Sequence, residues 1–242
     1  MGDCSRLLVT VCARGGSKGI PGKNIRLING KPLLEYTVIN ARKFAESHGC
    51  DIMLSTDSNE IREVGRQLGL DASYKRPAEL ANDVIGKPEA IRDAMLWYEQ
   101  KNDCKIDMVV DLDVTSPIRT LYDIDRCLEM MKEDKDALTC FSVSPAGRNP
   151  YFNMVEEKPD GYCKVILGGH YTSRQTAPKV YDINGSIYIY RRESLMRETP
   201  KAVTERSLIY IMNHICFDLD EPEDFDYMEF LMTTGRLDRY FK

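Results

Sequence analysis

Short, continuously apolar runs alternate along this chain with longer amphipathic stretches. The apolar run at 7–13 is typical of a buried strand. Similar runs predict further strands at 51–56, 107–112, 137–143, 186–190 and 208–212, with a short extended piece at 72–75. Helical periodicity predicts helices at 32–47, 59–68, 88–101 and 121–133, and a last helix that ends near 233. This alternation predicts an α/β fold of three layers, in which helices cover both faces of a mostly parallel sheet.

The pattern changes between Pro145 and Lys179, where turn residues multiply and separate short strand-like pieces. We interpret the segment at 145–185 as an insertion within a single domain spanning 1–242, and not as a second core. A long disordered loop is the alternative, and large apolar residues within the segment argue against it. These residues are Tyr151, Phe152, Tyr162 and Ile166.

Composition and charge disfavour several classes of protein. The formal net charge of −5 disfavours nucleic acid as a partner. No apolar stretch extends over ~18 residues, so no membrane span is expected, and the first residues lack a signal-peptide pattern. The 8 cysteines form no C-x-x-C pair, and the 3 histidines have no partner at the spacing of zinc ligands. We therefore expect a cytoplasmic protein without a zinc site.

The loop from Arg14 to Asn24 is the first segment with recognisable chemistry, and it directly follows the apolar run at 7–13. Its glycines would let backbone N–H groups approach phosphate oxygens, while Lys18, Lys23 and the initial arginine would neutralise their charge. The spacing matches neither G-x-G-x-x-G nor the P-loop. A flexible surface turn with solvated lysines is the alternative. The buried strand before the loop favours a polyphosphate site.

Asp218 and Asp220 lie one residue apart after a strand-like run at 215–217. Two carboxylates with this spacing at a strand end can point to one side. Mg²⁺ prefers such oxygen ligands and completes its shell with water and substrate phosphates. The alternative is that the acidic residues at 220–224 stabilise the N-terminus of the last helix. That alternative does not explain Asp218, so we expect the pair to bind Mg²⁺.

The loop at 13–24 resembles the nucleotide-binding loop of the acylneuraminate cytidylyltransferases, the enzymes that make CMP-sialic acids. Their pattern is A-R-x-G-S-K-G followed within a few residues by G-K-N. The resemblance covers nearly the whole chain: R-P-x-x-L-A matches 76–81, R-Q … N-G-x-I-Y matches 174–188, and the family's D-x-D matches 218–220. It implies a Rossmann-like nucleotidyltransferase fold whose inserted segment makes a homodimer and leans over the partner's active site.

The resemblance also assigns roles to individual residues. Arg76 would contact cytosine, and Arg174 would clamp the substrate's carboxylate. The residues expected to bind the nucleotide are Ala13, Arg14, Gly15, Gly16, Ser17, Lys18, Lys23, Asn24 and Arg76. Those expected to bind the sugar acid are Asp113, Thr115, Ser116, Arg174, Gln175 and Tyr188. The expected catalytic residues are Arg14, Lys23 and Asp218, and the expected Mg²⁺ ligands are Asp218 and Asp220.

Two departures from the family's pattern fall near these residues. Asp113 and Val114 replace the glutamine and proline of L-Q-P-T-S-P-L-R, and Gly86-Lys87-Pro88 stands where small hydroxyl residues are common. The usual glutamine lies near the sugar, so Asp113 leaves two hypotheses open. It accepts hydrogen bonds from a different nonulosonate, such as legionaminate, or it joins the shell of the metal ion.

These features predict a reaction between CTP and a nine-carbon 2-keto sugar acid, N-acetylneuraminate or a relative. The anomeric hydroxyl would attack the α-phosphorus and release pyrophosphate. A nucleotide-sugar glycosyltransferase, with its metal ion at Asp111 and Asp113, is an alternative, but it leaves the loop at 13–24 without a purpose. A non-catalytic nucleotide sensor would not need the basic and acidic clusters together. A 3-deoxy-manno-octulosonate cytidylyltransferase would lack the R-Q … N-G-x-I-Y pairing.

Overall fold

The computed structural model describes residues 6–16, 19–82 and 85–241. Its strands are β1 Leu7–Cys12, β2 Leu27–Ile28, β3 Lys31–Pro32, β4 Asp51–Ser55, β5 Met108–Leu112, β6 Thr139–Pro145, β7 Val155–Glu157, β8 Cys163–Val165, β9 Tyr181–Arg191 and β10 Ser207–Ile211. Its helices are α1 Leu33–His48, α2 Asn59–Gln67, α3 Lys87–Asn102, α4 Leu121–Glu133, α5 Arg192–Leu195, α6 Pro222–Thr233 and α7 Asp238–Phe241. Within these ranges, no helix is long and apolar enough to cross a membrane.

The central sheet has the strand order β10-β6-β9-β5-β1-β4. β1 is parallel to β4 and β5, and β10 is parallel to β6, whereas β9 is antiparallel to both of its neighbours. The prediction of a mostly parallel sheet is confirmed, with one reversed strand that was not foreseen. The reversal follows from the return of the chain after 145–180, because Tyr181 at the start of β9 pairs with Pro145 at the end of β6.

The side chains of β1 divide the hydrophobic core into two layers. Val9 and Val11 pack in a cluster with Phe44 of α1, whereas Leu8 packs in a second cluster with Ile91 of α3. Successive residues of a strand point to opposite faces of a sheet, so α1 and α3 cover opposite faces. The predicted three-layer arrangement is therefore confirmed. Each such buried side chain stabilises the fold by about 1.5–3 kcal/mol relative to exposure.

The helix α4 begins and ends at the predicted residues, Leu121 and Glu133. A capping box sets its start. The hydroxyl of Thr120 accepts a hydrogen bond from the backbone N–H of Asp123, whose carboxylate accepts one from the N–H of Thr120 at 2.7 Å. Both residues lie within one turn of each other in the chain, which is why this boundary follows from the sequence.

The run at 215–217 is not a strand, so that prediction was wrong. After the edge strand β10 the chain turns across the end of the sheet, and the backbone N–H of Leu219 donates to the carbonyl of Thr115 at 2.8 Å. The segment thus binds the loop after β5 instead of a neighbouring strand. An irregular segment, and not a strand end, carries Asp218 and Asp220.

Two short segments complete the comparison. The piece at 72–75, predicted only to be extended, is part of no strand, and its neighbour Asp71 makes an isolated bridge to Met53. The four-residue helix α7 was not predicted. A helix of this length is too short to show a 3.6-residue period, and packing against the rest of the fold stabilises it.

The segment at 145–185, predicted to be an insertion, contains the hairpin of β7 and β8 and exposes several apolar side chains. Val155 pairs with Val165 across the hairpin. Val155, Tyr162 and Leu167 are 59%, 70% and 56% exposed, respectively. Exposed apolar side chains gathered on one segment are typical of a surface that is covered in an assembly.

An ion pair between His214 and Asp123 links the chain after β10 to the start of α4. The imidazole Nε2 lies 3.0 Å from the carboxylate of Asp123, and Nδ1 lies 2.9 Å from the carbonyl of Ile215. Both neighbours are acceptors, so this geometry favours the doubly protonated ring. Burial alone would lower the pKa of His214, but these contacts raise it above its ordinary value of 6.5. The ring of Tyr240 in α7 packs on His214 with 4.9 Å between centroids.

Replacing His214 with glutamine is expected to destabilise the fold in a pH-dependent way. Because the folded-state pKa is raised, the ion pair stabilises the fold fully below pH 6.5 and loses this contribution as the pH rises through the folded-state pKa. Urea unfolding should give a loss of about 1 kcal/mol at mildly acidic pH and a smaller loss at alkaline pH. His170→Gln is the matched control, because His170 is exposed. A loss for His214→Gln that is independent of pH would contradict the ion pair.

Candidate functional site

A cleft of about 280 Å³ opens at the carboxyl ends of β1 and β5. Ligands of open α/β sheets bind at this edge of the sheet. Three parts of the chain line the cleft: the loop after β1, the stretch before and within the start of α3, and the loop after β5. The predicted site residues that line it are Arg14, Lys23, Asn24, Arg76, Asp113 and Thr115.

The loop after β1 is held in place by hydrogen bonds. The side-chain amide of Asn24 donates to the carbonyl of Arg14 at 2.9 Å, and the N–H of Gly15 donates to the carboxylate of Asp57 at 2.9 Å. A Cβ at position 15 would lie only 2.9 Å from the Cβ of Ser58, so glycine permits this close approach. The N–H of Gly15 thus binds Asp57 in this structure, and its contact with a phosphate stays a prediction.

The other residues predicted to bind the nucleotide in this loop are Ala13, Gly16, Ser17 and Lys18, and the structure describes only the first two. The N–H of Ala13 donates to the carbonyl of Ser55 at 3.0 Å and extends the pairing of β1 with β4. Gly16 is exposed at the surface. Ser17 and Lys18 lie outside the described residues.

The basic loop and the acidic segment after β10 meet beside the cleft, which Lys23 lines but Asp218 and Asp220 do not. Lys23 Nζ lies 2.8 Å from Asp220 Oδ1, although the two residues are 197 positions apart in the chain. The side chain of Lys23 is 12% exposed and that of Asp220 is 67% exposed. A Cβ at Gly19 would lie 3.0 Å from the carbonyl oxygen of Asp220, so the backbones are also close. The fold thus brings together the two clusters that the sequence singled out.

Asp218 lies beside other carboxylates at this point. The surrounding protein removes part of its hydration and raises its pKa, and the charges of Asp113 and Asp220 raise the pKa further. The nearby Thr115 hydroxyl and the charge of Lys23 act in the opposite direction. This end of the cleft is therefore rich in carboxylate oxygens and favours a cation.

A second ion-pair cluster lies at the end of β5. The ammonium of Lys87 lies 2.6 Å from Asp111 Oδ2 and 2.6 Å from Asp113 Oδ2. Burial alone would lower the pKa of Lys87, but these two carboxylates raise it well above 10.5. The same ammonium, together with hydrogen bonds from Thr115, lowers the pKa of Asp113 despite the desolvation of this carboxylate. The ammonium of Lys87 and the carboxylate of Asp113 therefore stabilise each other's charged forms.

Lys87 was not among the predicted site residues, although the sequence held a signal for it. Lys87 and Asp113 both replace uncharged residues of the family's pattern, and their charges are opposite. Two departures of opposite charge in one chain indicate a contact between them. The distance of 2.6 Å between Lys87 Nζ and Asp113 Oδ2 is that contact.

Arg76 lines the cleft but is bound to the end of β4. Its side chain is almost fully buried, with Nε donating to Ser55 Oγ at 3.0 Å and Nη2 donating to the Ser55 carbonyl at 2.8 Å. These contacts hold the loop after β4 against the sheet. A contact of this guanidinium with a base stays a prediction.

Ser116 and Tyr188 support the floor of the cleft. The hydroxyl of Ser116 is buried and donates to the carbonyl of Asn184 at 2.7 Å. Tyr188 pairs with Asp111 across β5 and β9, and the Lys87 ammonium lies 5.5 Å from its ring centroid. Burial raises the pKa of Tyr188 to about 12, so its phenol is neutral. Neither side chain lines the cleft itself.

Arg174 and Gln175 are not brought to the cleft of their own chain. Both are exposed, and Arg174 Nη2 donates to the carbonyl of Gly147 at 2.6 Å. Arg174 lines a different cavity of about 360 Å³, in the inserted segment, together with Arg148 and Lys179. Their predicted contact with the sugar acid therefore requires another chain or a movement of this segment.

Asp218 and Asp220 supply a donor set that fits a hard divalent cation. Among the described residues, no group of three or more His, Cys, Asp or Glu side chains is arranged to hold a metal ion by itself. Two carboxylates without further protein ligands suit a metal ion that keeps water and binds substrate phosphates.

Comparison with known proteins gives one family. Residues 8–237 match the sequence profile of the family described as Cytidylyltransferase. Post-translational flagellin modification protein B of Campylobacter coli is 38% identical over 233 residues, which are 96% of this chain and 97% of that protein. CMP-N,N'-diacetyllegionaminic acid synthase of Campylobacter jejuni is 38% identical over 239 residues, again covering 96% and 97%.

A solved structure has the same fold. The structure titled CMP:2-keto-3-deoxy-manno-octonic acid synthetase complexed with CTP superposes with a TM-score of 0.68, covering 96% of this chain and all of that one. The sequence identity is 18%, so this likeness concerns the fold alone.

Proposed function

The chain belongs to the cytidylyltransferase family, and we propose that it activates a nine-carbon 2-keto sugar acid with CTP. The products are the CMP-sugar and pyrophosphate. The observation that carries the proposal is the contact of Lys23 with Asp220, which joins a phosphate-binding type of loop to an acidic pair across one cleft. One relative that is 38% identical is named CMP-N,N'-diacetyllegionaminic acid synthase, which makes a legionaminate the favoured sugar acid.

Different residues at the cleft bind the triphosphate and accept the proton in this reaction. Arg14 and Lys23 bind the triphosphate and place positive charge where negative charge develops on the α-phosphate. The anomeric hydroxyl attacks the α-phosphorus, the bond to the β-phosphate oxygen breaks, and pyrophosphate leaves. Asp218 accepts the proton of the hydroxyl. Positioning and charge neutralisation, and not covalent catalysis, lower the barrier.

Asp218 and Asp220 hold Mg²⁺ in this proposal. When bound, the ion neutralises part of the charge of the triphosphate. Ser17 and Lys18 complete the nucleotide loop, and Arg76 approaches the base. Calcium, with its larger radius and looser coordination, should support the reaction poorly.

The inserted segment forms a homodimer in this proposal. Because Arg174 and Gln175 lie on the segment and away from their own cleft, we assign them to the substrate carboxylate at the partner's cleft. The exposed Tyr162 and Leu167 supply apolar surface for the contact. This assignment would reconcile the predicted role of Arg174 with its position.

Replacing Leu167 with aspartate is expected to convert the dimer into a monomer. A carboxylate in the middle of an apolar contact loses its hydration without a partner. Size-exclusion chromatography with light scattering measures the change in mass. Tyr122→Asp is the matched control, because Tyr122 is 66% exposed on α4, outside the segment. An unchanged mass for Leu167→Asp, or a monomeric unmodified protein, would contradict this arrangement.

The function is tested by incubating the protein with CTP, Mg²⁺ and a panel of nine-carbon ulosonic acids while following pyrophosphate. Release of pyrophosphate only when both substrates are present, together with a CMP-sugar product, is the expected result. If CTP releases pyrophosphate with the eight-carbon 3-deoxy-manno-octulosonate and with none of the nine-carbon acids, the protein is instead a 3-deoxy-manno-octulosonate cytidylyltransferase. The glycosyltransferase alternative would need Asp111 and Asp113 for a metal ion, but both carboxylates lie against Lys87.

A further inference from the structure

Lys87 lies at a position where a positive charge is unfavourable unless anionic groups compensate it. It is the first residue of α3, and the N-terminus of a helix carries a partial positive charge that disfavours a cation. Its side chain is only 28% exposed. The two carboxylates at 2.6 Å are the contacts that offset both effects. The position of this ammonium is therefore set by Asp111 and Asp113.

We propose that the ammonium of Lys87 is a resident cation that occupies the position a divalent metal ion would otherwise take between Asp111 and Asp113. A metal ion of this cleft is then confined to Asp218 and Asp220. The inference deepens the proposed function and rests on it for the metal nucleotide as substrate. It also decides between the two hypotheses for Asp113, which lies outside the shell of the metal ion.

The two carboxylates are arranged like a pair of metal ligands. Asp111 is fully buried, and its Oδ1 accepts a hydrogen bond from the hydroxyl of Thr10 at 2.7 Å. Asp113 Oδ1 accepts from the N–H and the hydroxyl of Thr115, both at 3.0 Å. Each carboxylate thus has one oxygen fixed by a neutral donor, and the other oxygens of both meet at one nitrogen. Hydrogen bonds that fix ligand oxygens in this way are common around metal ions.

A cation at this position offsets the repulsion between two carboxylates that are enclosed side by side. A buried carboxylate without a compensating charge is strongly destabilised. A lysine supplies that charge permanently, since it is part of the chain and does not dissociate. Lys87 is therefore a positioning residue that holds the Asp113 carboxylate at the cleft wall. The metal ion then binds at Asp218 and Asp220.

Counting bound Mn²⁺ by electron paramagnetic resonance tests this inference without nucleotide or sugar. Lys87→Met should bind one more Mn²⁺ per chain than the unmodified protein, and Lys87→Met combined with Asp113→Asn should lose that additional ion. Asp113→Asn alone should leave the count unchanged. Lys101→Met is the matched control, because Lys101 pairs with Asp71 at the surface and is expected to change nothing.

Two outcomes would overturn the inference. One is an equal Mn²⁺ count in folded Lys87→Met and the unmodified protein. The other is the loss of one ion in Asp113→Asn, which would place a metal ion on that carboxylate. If Lys87→Met does not fold, the Asp113→Asn count decides alone. Failure of the proposed function has a separate signature, since the expected Mn²⁺ counts would then accompany an absence of pyrophosphate release.

Discussion

Lys23→Ala is expected to lower kcat by about 100-fold or more in the pyrophosphate assay, the scale of removing one preorganised charge-stabilising donor. The Lys23 side chain is largely enclosed between the loop after β1 and the acidic segment, where its charge is weakly screened by water. Loss of the ammonium removes positive charge from the cleft and leaves Asp220 without its partner. Both effects raise the barrier for an anionic transition state.

Lys31→Ala is the matched control for this variant. Lys31 is 48% exposed and pairs with Glu35 four residues later, outside the cleft. Exposed pairs of this kind contribute little, so stability and turnover should both stay near those of the unmodified protein. Thermal unfolding of Lys23→Ala checks that the chain remains folded. Near-normal turnover in a folded Lys23→Ala protein would remove the central residue from the proposed mechanism.

Arg119→Ala is expected to lower the free energy of unfolding by about 3–5 kcal/mol. The guanidinium is fully buried, and burial lowers its pKa to about 10, which still leaves it charged at neutral pH. It donates to Ser186 Oγ at 2.7 Å, to the Ser116 carbonyl at 2.6 Å and to the carbonyl of Asp113. Truncation leaves buried acceptors without donors and opens a cavity.

Urea unfolding measures this loss, with Arg126→Ala as the control. Arg126 is 38% exposed on α4 and pairs with Glu129 three residues later, so its removal should change stability little. A second consequence concerns the cleft, because Arg119 holds the loop that carries Asp113. Equal losses for the two variants would show that the buried hydrogen bonds contribute no more than a surface ion pair.

Much of the fold could be predicted because its signals are local. The continuous apolar run of β1 and the capping box of α4 involve residues within one element, and both boundaries were found near their predicted positions. The direction of β9 has no local signal, since its apolar residues would suit either orientation. The run at 215–217 resembles a strand but binds the Thr115 loop, and only the neighbouring chain makes that choice.

The candidate site shows the same division. The loop at 13–24 and the pair Asp218 and Asp220 were singled out from residue types and spacing. Lys87 was noted only as a departure from a pattern, because a lysine at the start of a helix carries no sign of its partners. The exposed position of Arg174 on the inserted segment was likewise beyond the sequence.

By itself, the sequence determined the layered α/β architecture, the basic loop after the first strand and the family, because these depend on residue types at short spacing. Only the tertiary structure decided that Lys23 meets Asp220, 197 residues away, and that Lys87 lies between Asp111 and Asp113. The physical reason is that the carboxyl ends of β1 and β5 meet at one edge of the sheet, and the pairing of charges there depends on distances through space.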